Sequence, residues 1–150
     1  MMTEMTIIIK DVNDIPAITS TTGPGILVKL LLNEANSKSM RAGLMSFGPG
    51  TKSQSQPHYH SVEELQLVIN GHATLEDCNG DKYPLKPGTI FLCPPGIEGV
   101  HGIENTSDFP MTLLFIYPSQ DYQTVKYDAP ISGTRRQNKI FIRNIEDFKL

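Results

Sequence analysis

His58-Tyr59-His60-Ser61-Val62-Glu63-Glu64-Leu65-Gln66-Leu67-Val68-Ile69-Asn70-Gly71 is the stretch that decides how this chain is read. Two histidines at i and i+2 on an extended segment project from one face, because strand side chains alternate with period two. Glu64 follows four residues after the second histidine and opens a run of Leu, Val and Ile that ends at Asn70-Gly71. That dipeptide favours a type I′ hairpin turn, in which both central residues need positive φ. His101 comes much later; the chain has four histidines, and three of them belong to this pattern. Three imidazoles and a carboxylate form a mixed nitrogen and oxygen donor set suited to a divalent transition metal. Glu63 is the rival carboxylate, but its parity points it away from the face that Glu64 occupies.

Outward from this stretch, eleven prolines and twelve glycines cut the chain into short pieces. The apolar, β-branched runs between them predict strands at 6–10, 25–32, 40–47, 53–60, 64–70, 72–77, 81–85, 89–93, 99–105 and 112–117. Asn79-Gly80 is a second hairpin signal, and Pro49-Gly50, Lys86-Pro87-Gly88 and Pro94-Pro95-Gly96 mark further turns. Helix is limited to single turns at 11–15, 31–37 and 146–150. Residues 118–139 read as a polar, irregular tail. Short strands at regular intervals predict an all-β sandwich or small barrel. A chain of 150 residues supports one domain with a real core, organised as an N-terminal strand or arm (1–24), a barrel (25–118) and a C-terminal tail with a terminal strand (119–150).

The net charge of −3 gives no basic footprint for nucleic acid or an anionic membrane. No apolar run reaches spanning length, and the first residues lack the features of a signal peptide. A cytoplasmic protein with a small-molecule partner is therefore expected, with neither nucleic acid nor membrane bound. Cys78 and Cys93 imply no disulfide framework.

The central sequence can be written Gly50-x7-His58-x-His60-x3-Glu64-x6-Gly71, followed after sixteen residues by Gly88-x5-Pro94-Pro95-Gly96-x4-His101-x3-Asn105. This resembles the two motifs of the cupin superfamily, in its small, single-domain, metal-binding form. It departs from them by two extra residues before His58 and two more between Gly96 and His101, which bears on loop lengths. The resemblance covers residues 50–105, and the strand pattern extends it to about 25–118. It implies a jelly-roll-like β-barrel of two antiparallel sheets with a metal inside one mouth, held by His58, His60, Glu64 and His101. Imidazole and carboxylate suit Fe, Mn, Ni, Zn or Cu, with iron or manganese slightly favoured.

Parity then suggests the cavity wall. If the ligands face inward, so do Gln56, Gln66 and Val68 on their strands, and Ile103 beside His101. Arg41 and Ser46 have opposite parities, so only one can line the cavity; Arg41 there could clamp a substrate carboxylate. His72 is expected at the surface, and Asn105 as a hydrogen-bonding residue at a strand end. Many enzymatic cupins carry an aromatic residue shortly after the glutamate, where this chain has Leu65-Gln66-Leu67, so a tyrosinate base is not expected.

These features describe a metal-dependent enzyme acting on an enol, diketone, phenol or hydroxy acid. A dioxygenase leads, because oxygenases need a dry cavity more than an array of acids and bases. The alternative is a non-redox isomerase, cyclase or decarboxylase of a sugar or polyketide-like substrate, in which Glu64 is catalytic and moves a proton at the substrate α-carbon. A third reading is a non-catalytic metabolite-binding cupin. The resemblance also implies a homodimer, for which an apolar strand over 6–9 is a suitable edge. Residues 7–15 and 140–148 are alike position by position in residue type; the first reading is coincidence between two edge-strand-plus-turn segments, and the alternative is that both ends hold equivalent places on sheets, across a dimer or as the echo of a second module.

Overall fold

Alternation along the strands sets the fold. In Met111–Tyr117 every second side chain is buried, and Glu64, Gln66 and Val68 repeat the pattern on a neighbouring strand. Strands with one buried face must pair and then pack that face against another layer. The computed structural model of the chain describes residues 7–20, 23, 25–51, 57–128 and 135–145. Its strands are β1 (Ile18–Thr19), β2 (Ile26–Leu32), β3 (Arg41–Phe47), β4 (His58–His60), β5 (Glu64–Asn70), β6 (Ala73–Glu76), β7 (Lys82–Leu85), β8 (Thr89–Cys93), β9 (Gly102–Glu104), β10 (Met111–Tyr117), β11 (Thr124–Lys126) and β12 (Phe141–Asn144).

One layer is a seven-stranded antiparallel sheet in the order β1-β2-β3-β10-β5-β8-β12. The other consists of β7-β6-β9 and β11-β4, joined where His58 and His101 exchange backbone hydrogen bonds of 3.0 and 2.9 Å. Side chains from both layers, among them Phe47, Phe91, Leu113 and Phe115 from the first and Leu75, Leu85 and Ile103 from the second, form one core. The fold is all-β, with antiparallel sheets in a jelly-roll barrel. Pro84 lies on β7, an outer strand of its sheet, where a missing N–H is tolerated.

Several expectations need correction. Asn70-Gly71 is not a type I′ hairpin: Asn70 is still part of β5, no described non-glycine residue has positive φ, and Gly71 alone does, at 78°. β5 and β6 lie in different layers, so this turn is a corner between sheets. A Cβ at Gly71 would collide with the backbone of Pro110. Asn79-Gly80 does close a hairpin, between β6 and β7, but as a turn of Asp77–Gly80 with only Gly80 at positive φ. Asp77 Oδ1 supports it by accepting from the N–H groups of Asn79 and Asp81.

Residues 7–10 form no strand; Ile7 and Ile9 are 90% and 89% exposed, and among the described residues no strand pairs with them. The N-terminal strand lies later, at Ile18–Thr19, after a 3-10 turn at Val12–Asp14 capped by the Asp11 carboxylate. Over these residues the likeness does not extend to structure: 141–144 form β12 whereas 8–11 form no strand, and 146–148 lie outside the described residues. The predicted irregular tail contains β11, which pairs with β4 through Thr124 opposite His60. Its alternation is too short to stand out, and pairing with β4 forms it. Of the strand expected at 53–60, residues 53–56 lie outside the described residues and His58–His60 form β4; the expected turn at 146–150 also lies outside the described residues.

Candidate metal centre and cavity

His58 and His60 sit two residues apart on β4 and are both buried, while Tyr59 between them packs on the other side against Cys78, Val100 and Tyr127. The His58–His101 bridge places the third imidazole beside them, with ring centroids 4.5 Å apart. One ring nitrogen from each of the three histidines lies within 4.8 Å of the others.

Glu64 enters from the opposite layer, not from a strand hairpinned to β4. Its Oε1 is 3.0 Å from His101 Nε2 and 3.4 Å from His60 Nε2, and it accepts a 2.7 Å hydrogen bond from Gln66 Nε2. The far nitrogens are held as well. His101 Nδ1 lies 2.9 Å from the Gly99 carbonyl, and a carbonyl only accepts, so this nitrogen carries the proton and Nε2 faces the centre. His60 Nδ1 lies 2.9 Å from Thr124 Oγ1. Partners of this kind fix the orientation and tautomer of metal-binding histidines.

Burial pushes the His58 imidazole down to about 2, with His101 and His60 acting the same way, so it is neutral at any ordinary pH. Burial also opposes charge on Glu64 and His101. For Glu64, hydrogen bonds from His101 and His60 prevail and hold its carboxyl below the usual carboxylate range. For His101, Cys93 and the Glu64 carboxylate prevail and raise it well above the usual imidazole value. Among the described residues His58 Nδ1 is a buried ring nitrogen with no hydrogen-bond partner. Three convergent imidazoles, one of them neutral with an unpartnered nitrogen, and a facing carboxylate fit a divalent transition metal.

These groups open into a cavity of about 290 Å³. Phe47, Phe115, Ile103 and Met45 give it apolar walls, and Arg41, Gln66, Tyr117, Tyr122 and Thr124 add polar groups. Tyr117 Oη is 3.2 Å from His60 Nε2, and the Tyr122 ring stacks on Tyr117 at 4.2 Å. Burial first, then the charge of Glu64, pushes the Tyr117 phenol far above its ordinary value.

Residues 43–117, half of the chain, match the Cupin domain family. This protein belongs to the cupins. No curated protein matches the sequence. Among solved structures, the polyketide cyclase RemF from Streptomyces resistomycificus is similar at 16% identity and a TM-score of 0.71, over 81% of this chain and 85% of that one. A cupin-superfamily sugar phosphate isomerase from Silicibacter pomeroyi gives 20% identity and 0.68, over 93% and 94%. KdgF from Halomonas sp. gives 22% and 0.59, over 73% and 91%. At such identities the likeness is one of fold.

The cupin cavity differs in places from the parity-based wall. Gln66 and Ile103 line it. Val68 does not: it faces inward as expected, but two residues farther along β5 the space is closed core, where it is 1% exposed. Gln56 lies outside the described residues. Arg41 lines the cavity and Ser46 does not. His72 is exposed. Asn105 is fully buried and works structurally, its Nδ2 donating to the carbonyls of Phe47 and Phe109. Sequence reasoning missed Tyr117, Tyr122 and Thr124. The alternation Met111, Leu113, Phe115, Tyr117 was a usable signal for the first, since its last member continues the buried face with a hydroxyl.

Proposed function

We propose that this cupin is a metal-dependent, non-redox enzyme that moves a proton on a small oxygenated substrate, within the isomerase, cyclase or decarboxylase classes. The carrying observation is the meeting of the Tyr117 hydroxyl and the Glu64 carboxylate at His60 Nε2, inside a cavity with apolar walls. His58, His60 and His101 would hold the cation with Glu64 facing them, iron or manganese being favoured among divalent transition metals. Such an ion supplies Lewis-acid stabilisation of negative charge on a substrate oxygen.

The chain's own groups divide the remaining work. Glu64 Oε1 accepts and returns a proton at the substrate α-carbon. Its carboxyl is depressed by the hydrogen bonds of His101 and His60, so its basicity rises when those histidines are engaged elsewhere. Tyr117, with a phenol held protonated, is a hydrogen-bond donor rather than a tyrosinate base. Gln66 steers the carboxylate through its 2.7 Å bond. Phe47, Phe115 and Ile103 keep competing water from the reacting carbon. The similar structures named as a polyketide cyclase and a sugar phosphate isomerase lend support, since both names belong to proton-moving, non-redox chemistry.

The dioxygenase alternative drew on a cavity poor in polar groups, and Tyr117, Tyr122 and Thr124 weaken that argument. One experiment separates the two readings. Protein loaded with Fe(II) or Mn(II) is incubated in D₂O with a panel of hydroxyketones, diketones and phenols, with oxygen uptake followed by electrode and α-carbon deuteration by NMR. Deuteration without oxygen uptake is expected. Oxygen uptake coupled to product would establish the oxygenase, and ligand capture without either change would establish a binding protein.

A further inference from the structure

Among the described residues lining the cavity Arg41 is the one arginine or lysine. Its position follows from register. Arg41 on β3 stands directly opposite Tyr117 on β10, and residues so paired project from the same face with Cβ atoms about 4.5–5.5 Å apart. Tyr117 in turn reaches His60 Nε2 at 3.2 Å. The guanidinium and the phenol therefore share one side of the cavity, with the histidine cluster beyond the phenol.

Among the described residues little occupies this guanidinium. Its partner is Glu34 Oε2 at 3.6 Å, beyond hydrogen-bond reach, on a side chain that is 76% exposed. Exposed pairs of this kind contribute little. The inward face of β3 otherwise runs Gly43, Met45, Phe47, an apolar series that gives no structural reason for a cation at its mouth. A planar fork of five N–H donors without a firm acceptor matches a carboxylate bidentately. Glu64 does not forbid an acid in the same cavity, because Gln66 and His101 already hold its charge.

We infer that Arg41 anchors a carboxylate of the substrate, so that the substrate is a compact organic acid with a second oxygen function that reaches the histidine cluster. The inference rests on the cavity being a substrate site, as in the proposed function. A volume of about 290 Å³ is at the small end of ligand cavities, which suits a compact acid better than an oligosaccharide or a long acyl chain.

The test compares salicylate with salicylamide, which differ by a carboxylate and its neutral amide. Binding to the full chain is measured by calorimetry, on protein as purified and again after chelation, with metal content determined in parallel. Wild type is expected to prefer salicylate by roughly tenfold to a hundredfold. Arg41→Gln should bring the two ligands level without changing metal content, and Arg41→Lys should keep part of the preference. Glu34→Gln should leave the preference equal or greater. Equal affinities in wild type, or a preference that survives Arg41→Gln, would overturn the inference. Should Arg41→Gln fail to fold, an undiminished preference in Arg41→Lys would overturn it. A chain that binds no metal yet shows the Arg41-dependent preference would leave the anchor standing and remove the enzyme reading.

Discussion

Adding a divalent cation to the metal-free protein at pH 7 should release about one proton, from His101. The expectation comes from the states of His58, Glu64 and His101. His58, held at about 2 by burial and by its histidine neighbours, has none to give. Glu64, held below the carboxylate range, is already ionised. His101 carries a proton on Nδ1 toward the Gly99 carbonyl and a second on Nε2 toward Glu64, because Cys93 and Glu64 outweigh burial and raise it well above its usual value. A cation held by His101 would need the Nε2 lone pair, so that proton would leave. Affinity should then rise about tenfold, or about 1.4 kcal/mol, per pH unit until the pKa of His101 in the fold is passed. Calorimetry in two non-coordinating buffers of different ionisation enthalpy gives the proton count from the slope of apparent enthalpy. A count of zero would mean that His101 is neutral beside Glu64. Two or more would mean that a second histidine also gives up a proton. A count of zero would refute the electrostatic account of His101.

In the metal-free protein, stability should peak near pH 6.5. Below that value the unfolded chain protonates His58 while the fold keeps it neutral, costing about 1.4 kcal/mol per pH unit; above it the contribution of His101, raised in the fold, is progressively lost. Urea titrations from pH 5 to 8 that show a flat profile would contradict this. Gly43→Ala should destabilise by roughly 1–3 kcal/mol, because a Cβ there would stand 2.7 Å from the Lys29 carbonyl oxygen and 2.8 Å from the Phe115 ring; an unchanged thermal midpoint would refute it. Tyr117→Phe should lower turnover per bound metal at least roughly tenfold while leaving metal content unchanged; turnover per bound metal equal to wild type would refute the role, and loss of metal would assign the hydroxyl to the ligand set instead. For the proposed homodimer, removing residues 1–10 deletes the exposed Ile7–Ile9 segment and should leave monomer or aggregate, whereas an unaltered dimer by light scattering would count against it.

The histidines were legible because their geometry is local. Parity alone puts His58 and His60 on one face, and the turn at 94–96 delivers the segment with His101. Which layer each group comes from was not legible. Asn70-Gly71 has the composition of a hairpin, but its first residue stays in a strand paired with Thr112, and only the packing of two sheets reveals the corner. Val68 shows the same limit in another form. Parity gave its face correctly, but whether that face meets open cavity or closed core depends on Phe47, Phe91, Leu113 and other side chains distant in sequence. Thr124 and Tyr122 come from a tail whose polarity hides a strand, and only pairing with β4 reveals Thr124 behind His60.

The two-layer origin of the site has a consequence for the fold itself. The three histidines belong to the smaller layer, β4 and the bridge to its neighbour, while Glu64, Gln66 and Tyr117 project from β5 and β10 of the seven-stranded sheet. Across the cavity the layers meet through polar contacts, Glu64 to His101 and His60, and Tyr117 to His60. Apolar core closes the barrel below them, and beside them the Tyr122 ring stacks on Tyr117. A cation bound by groups of both layers would therefore fasten one layer to the other, and binding free energy at this place would become folding free energy. The same groups that prepare the chemistry would then also hold the cavity open to the right width, since the carboxylate from one sheet can face the imidazoles from the other only when the two sheets keep their spacing.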